Sequence, residues 1–209
     1  MLELVLPLVV RIERDAPPTR TDALEAAARG VLLMLTSERP EWMDAVSQWN
    51  GQRIRKVVRR ARGAEWRRAL TVDGLDVEQG TAQLRVYRPV PVDAWPAELA
   101  RLQVRDTELD DPSPPEAPRP GIPLIMLSPH VVMTAGKAMA QAGHAAQLGY
   151  WSLSAAERAS WRAADFALAV RGATPEQWDQ AIRDGAPLVH DGGFTEVEPG
   201  TQTAVFLQR

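Results

Sequence analysis

One feature constrains this chain more than any other: its two halves carry the same short marks in the same order. Pro7-Leu8 is answered by Pro123-Leu124, and Arg62-Gly63-Ala64-Glu65-Trp66 by Arg171-Gly172-Ala173 with Glu176-Gln177-Trp178. Asp73-Gly74 is answered by Asp191-Gly192, and Val77-Glu78-Gln79-Gly80-Thr81 by Val197-Glu198-Pro199-Gly200-Thr201. Each match is short, but their shared order predicts an internal duplication. Residues 106–123 separate the halves and are rich in proline and acid, without apolar periodicity. Proline fixes φ and removes a backbone donor, so this stretch reads as an extended, semi-rigid linker. The expected organisation is a first copy over residues 1–105, a linker over 106–121 and a second copy over 122–209.

Each half alternates strand-like and helix-like runs, which predicts an α/β layer structure. In the second half, strands are expected at 123–127, 166–171, 187–190 and 201–207, with helices at 135–150, 155–164 and 175–184. In the first half, strands are expected at 7–12, 55–60 and 82–87, with helices at 22–35 and 64–70 and a tryptophan-bearing stretch through Trp42 and Trp49. The fold class is therefore α/β: two tandem pseudo-equivalent lobes, each a small mixed β-sheet flanked by helices on both faces. Each lobe is short for an independent core, so the two are expected to pack together. The seven tryptophans supply apolar area for cores and for that interface.

Composition removes several function classes. The chain has no cysteine, which excludes disulfides, thiolate catalysis and cysteine-ligated zinc. No run reaches the roughly 18 apolar residues of a membrane helix. The apolar start lacks a basic segment and a small-residue cleavage site, so a cytoplasmic protein is expected. G-x-S-x-G, Walker A and G-x-G-x-x-G patterns are all missing. The three histidines are scattered, so neither a metal nor a cofactor is expected. The formal net charge of -3 is unlike that of a typical nucleic-acid binder. Basic residues nevertheless crowd one segment from Arg53 to Arg68. Of 24 basic residues, only Lys56 and Lys137 are lysine. Where arginine serves every generic need for positive charge, a lysine points to a place where arginine will not fit.

Two motifs carry candidate chemistry. The first runs from Thr134 to Ala146. Thr134 is an expected N-cap, and Lys137, Gln141 and His144 at i, i+4 and i+7 share one helix face. A lysine in the first turn opposes the helix dipole by roughly 0.3–1 kcal/mol, yet together with free helix amides it builds an anion site. The plain alternative is a solvated lysine on a small-residue packing helix. The second motif runs from Val189 to Thr201, where Asp191-Gly192-Gly193 and Pro199-Gly200 signal turns. It reads either as a site-lining loop or as an ordinary capped hairpin.

Together the motifs resemble the archaeal and eukaryotic-type (type 2) peptidyl-tRNA hydrolases. That family carries a helix signature G-K-x-A-A-Q-C-x-H-A and a closing strand–loop–strand R-D-A-G-R-T-Q-x-x-P-G-T. Here they read GKAMAQAGHAA and HDGGFTEVEPGT. The resemblance covers nearly all of 122–209. It places Lys137 and Asp191 on the family's catalytic lysine and aspartate, and Thr195 and Thr201 on threonines of that site. Gly136, Gln141, His144 and Gly200 fall on the substrate-binding surroundings. The chain departs from the pattern at Ala142, His190, Phe194 and Glu196, where the family has cysteine, arginine, arginine and glutamine. Two missing arginines and one added acid weaken the positive field offered to a tRNA.

The resemblance implies hydrolysis of the ester joining a peptide to the 3′ ribose of tRNA. The implied partner is a tRNA carrying a peptidyl group, with no membrane and no metal. Asp191 would orient or deprotonate the water, Lys137 and helix amides would stabilise the oxyanion, and Thr195 and Thr201 would hold water or ribose. The first half reads as a degenerate copy lacking the lysine, which makes the chain a pseudo-dimer with one surviving site; further homo-association stays open. Arg59 and Arg60 are its expected phosphate contacts, or else part of a solvated strand edge. The alternatives are a non-catalytic RNA- or protein-binding member of the same fold and a related small-molecule hydrolase or transferase.

Overall fold

The computed structural model describes residues 3–104, 107–193 and 196–209. The first half contains β1 (Leu4–Arg11), α1 (Arg20–Leu35), α2 (Pro40–Asn50), β2 (Arg55–Ala61), α3 (Gly63–Ala69), β3 (Gly74–Gln79), β4 (Ala82–Tyr87), β5 (Val90–Pro91) and α4 (Ala97–Ala100). The second contains β6 (Leu124–Leu127), α5 (Ala135–Ser152), α6 (Ala155–Ala163), β7 (Ala169–Gly172), α7 (Pro175–Arg183), β8 (Leu188–His190) and β9 (Gln202–Leu207).

The chain is α/β with two mixed sheets. Their strand orders are β2-β1-β4-β3, with β5 also on β1, and β7-β6-β9-β8. In each, the first strand pairs in parallel with the second and antiparallel with the last, and the third pairs antiparallel with the last. The two sheets thus share one topology. β1 and β6 are the central strands and read as continuous apolar runs, as strands covered on both faces do. Pro7 lies where the antiparallel partner of β1 changes from β5 to β4, a place that tolerates a strand residue without an N–H.

Helices cover both faces of each sheet. α1 and α5 pack on one another, and each also reaches the other lobe, α1 at β7 and α5 at β2. One core therefore runs through both halves, from Leu8 and Leu84 through Ala27, Val31, Ala138 and Met139 to Ile125 and Phe206. Both helices are buried around most of their circumference, as expected of helices held between sheets. On the outer faces, Trp66 and Leu99 from α3 and α4 cover Val9 and Tyr87. Trp178 and Ala181 of α7 cover Leu124 and Val205. α6 and α7 begin with capping boxes, Ser154 with Glu157 and Thr174 with Gln177.

Four elements exceed the sequence expectation: α2, β3 and the short β5 and α4. The tryptophan-bearing stretch is helix α2, with Pro40 in its first turn and Trp42, Val46 and Trp49 buried on one face. β3 was not expected as a strand, because Gly74–Gln79 buries only Gly74 and Val77. The strand expected at 166–171 begins instead at Ala169, since Asp165 and Phe166 both adopt positive φ and break the extended run. Residues 107–123 form no helix or strand but dock on the lobes, burying Thr107 and Leu109.

Candidate functional site

α5 starts where Thr134 caps it, accepting from the Lys137 amide at 3.2 Å. Its spacing carries Lys137, Gln141 and His144 into a cleft of about 560 Å³ between the lobes. Asp191 enters from the other side. It follows β8, and its backbone is held by Thr201 and Gly200: its N–H donates to the Thr201 carbonyl at 2.9 Å, and its carbonyl accepts from Gly200 N at 2.7 Å. Gly200 has φ of 83°, a conformation glycine adopts without a Cβ clash.

Lys137 Nζ meets Asp191 Oδ2 at 2.6 Å, with the two side chains 8% and 7% exposed. Gln141 Nε2 donates to the same oxygen at 2.8 Å, and Gly193 N donates to Oδ1 at 2.8 Å. Gln141 is itself fixed, because its Oε1 accepts from the buried Thr203 hydroxyl at 2.6 Å. A chain of contacts thus runs from Thr203 through Gln141 to the carboxylate and the ammonium. It orients the pair toward the cleft without spending either group on the surface.

The remaining expected residues divide. Gly136 lines the cleft, and its N–H is taken by the Thr107 carbonyl at 3.3 Å. The Lys137 amide is taken by Thr134. The helix amides expected to assist an oxyanion are therefore already bonded at these two positions. The Glu196 carboxylate also closes on this end, accepting from Thr134 N at 3.1 Å and Thr134 Oγ1 at 2.7 Å. The Thr201 hydroxyl turns away and donates to the Glu198 carbonyl at 2.6 Å. Thr195 lies outside the described residues. Arg59 donates to the carbonyls of Ala100 and Leu102 and lies over the Trp95 ring, while Arg60 lines a separate cavity with Arg62 and Arg101. Neither lines the cleft that holds Lys137 and Asp191.

The residue that motif reading missed is Lys56. It stands on β2 of the first lobe, is 8% exposed and lines the same cleft. Its Nζ lies 3.2 Å from His144 Nδ1, 2.7 Å from Gln147 Oε1 and 3.1 Å from the Ile54 carbonyl. The signal was in the composition, since the chain's two lysines line one cavity. Burial pulls the Lys56 ammonium well below the ordinary lysine range. Burial, with Lys56 and Lys137 nearby, also holds His144 well below the ordinary histidine range.

Among the described residues, the first lobe carries no matching pair. Asp22 stands three residues after the Thr19 cap, where Lys137 follows Thr134, and it accepts from the Thr81 amide and hydroxyl at 2.7 Å each. Asp73 instead accepts from Trp42 Nε1 and Arg39. Among the described residues, no group of three histidines, cysteines or acids is placed to hold a metal. No helix among the described residues is long and apolar enough to cross a membrane. Compared with protein-family models and with curated proteins, the sequence has no match.

Proposed function

We propose that this chain is a peptidyl-tRNA hydrolase-like esterase, acting on the ester between a peptide and the 3′ ribose of tRNA. The observation that carries the reading is the buried Lys137–Asp191 pair, held by Gln141 and Thr203 and opening on a cleft. Ester hydrolysis needs a base for the attacking water and a positive donor for the oxyanion. Asp191 takes the water proton, and Lys137 stabilises the negative charge on the former carbonyl oxygen. That proton then goes to the leaving 3′ oxygen, so no metal enters the balance. With the Gly136 and Lys137 amides bonded elsewhere and the Thr201 hydroxyl turned away, the chemistry among the described residues falls on the two charged groups.

A second reading, a binding protein that has lost activity, draws support from Glu196. It puts a carboxylate at the α5 N-terminus, where an anionic substrate group would otherwise be welcome.

Release of peptide from N-acetylated aminoacyl-tRNA separates the two. The parent should hydrolyse it, and Lys137→Ala and Asp191→Ala should each lose about 10²–10⁴-fold while remaining folded. A folded parent that binds tRNA and releases nothing would leave the binding reading.

A further inference from the structure

Lys56 belongs to the lobe without the lysine–aspartate pair, yet its side chain ends against α5 of the other lobe. Among the described residues, no carboxylate pairs with it. Its surroundings are built from the first lobe: the Trp49 ring centre lies 4.9 Å from Nζ, and Ile54, at φ of 44°, turns its carbonyl onto it. Gln147 completes the set. Its Nε2 donates to Asn50 Oδ1 at 2.9 Å, so its Oε1 is the atom facing Lys56.

Two of the three neighbours of Nζ, the Ile54 carbonyl and Gln147 Oε1, only accept. They use two N–H groups. The third neighbour, His144 Nδ1, can donate or accept according to tautomer. An ammonium has a third N–H and donates to Nδ1; a neutral amine has a lone pair and accepts from an Nδ1–H. His144 Nε2 meets no partner among the described residues, is not a sealed-off polar atom, and belongs to a residue lining the cleft.

We infer that Lys56 is a positioning residue for the opposite lobe's site: as an ammonium it donates to His144 Nδ1 and fixes the neutral imidazole that presents an Nε2–H to the cleft. The charged or titratable groups sharing that cleft are Lys56, Arg53 and Arg55 on or beside β2, Lys137 on α5, His190 at the end of β8, and Asp191 and Glu196 after it. Burial first, and the two nearby lysines after it, disfavour a second proton on the ring. His144 lies seven residues after Lys137, about 10 Å further along α5. A neutral donor there suits an uncharged oxygen, a carbonyl or a ribose hydroxyl, of a substrate lying along the helix from the Lys137–Asp191 pair. The inference shares its cleft with the proposed hydrolase but does not depend on turnover. An inactive parent would remove the hydrolase reading and leave this one standing.

The test is the nitrogen spectrum of histidine-labelled protein near neutral pH, with the His144 signals assigned by their loss in His144→Gln. The expected result is a bare Nδ1, a protonated Nε2 and titration well below the ordinary histidine range. In folded Lys56→Met the fixed tautomer should give way to a mixture, and titration should move upward. An Nδ1–H tautomer or a neutral-pH imidazolium in the parent would overturn the inference without recourse to any variant. An unchanged tautomer in folded Lys56→Met would overturn it as well.

Discussion

Lys137 and Asp191 are nearly shut off from water and each is the other's charge partner. Removing one member of such a pair costs about 3–5 kcal/mol, because it strands the other. Among the described residues, Lys137→Met leaves the Asp191 carboxylate with the Gln141 side chain and the Gly193 amide. It should lower the unfolding free energy obtained from urea titration by that amount, and Lys137→Met with Asp191→Leu should recover a large part of it. A single-variant loss below about 1 kcal/mol would mean that the pair behaves as a surface contact. His144 supplies a pH test. Its folded value lies below its ordinary 6.5, so between the two values the unfolded chain binds the extra proton. Stability should fall as pH drops below the ordinary value, and level off at the folded one. Inside that window each pH unit costs up to about 1.4 kcal/mol. His144→Gln should flatten that stretch of the urea-midpoint profile; an unaltered slope would show that His144 is not its source. The spacing of Lys137, Gln141 and His144 is visible in the sequence because a helix repeats it. Thr203 was not, and Lys56 stood out only as one of two lysines, because what they touch lies across the fold.

At the scale of elements, α5 does two jobs with small residues. Gly143 lets it approach α1, where an added Cβ would lie 2.8 Å from Val31 Cγ2 and 3.3 Å from Lys56 Cδ. Gly149 lies on Phe206 so closely that a Cβ would run into the ring. In an exposed helix, glycine to alanine gains up to about 1 kcal/mol. Gly149→Ala should instead destabilise by about 1–3 kcal/mol through overpacking, seen as a lower thermal midpoint. A raised midpoint would mean that β9 gives way at Phe206. Helices α5, α6 and α7 were readable as helix-like runs, α5 with its Thr134 cap. β3 was not, because its burial comes from pairing with β4 and from α1 rather than from an alternating pattern of its own. β7 starts late because of two positive-φ residues that no propensity announces.

At the scale of the molecule, the halves share a strand topology and a single core through α1 and α5. Glu25 of the first lobe accepts from Val170 N and Arg171 Nη1 of the second, and Arg171 also donates to the Glu116 carbonyl of the connecting segment. Residues 122–209 made alone would expose the face of α5 that α1 covers. That fragment should fail to form a stable monomer, and either remain unfolded or self-associate, as circular dichroism and sedimentation would show. A stable, folded monomeric fragment would contradict a shared core. By itself, the sequence determined the α/β class, the repeated order of elements and the face of α5 that carries Lys137, Gln141 and His144. These follow from periodicity, caps and turn residues, which are local. Only the tertiary structure decided that β2 of the first lobe delivers Lys56 to that face, that the α5 amides at Gly136 and Lys137 are already bonded, and that Arg59 and Arg60 point elsewhere. Those outcomes depend on how two sheets dock across two helices, a choice made by burial summed over the whole core and written in no single stretch of chain.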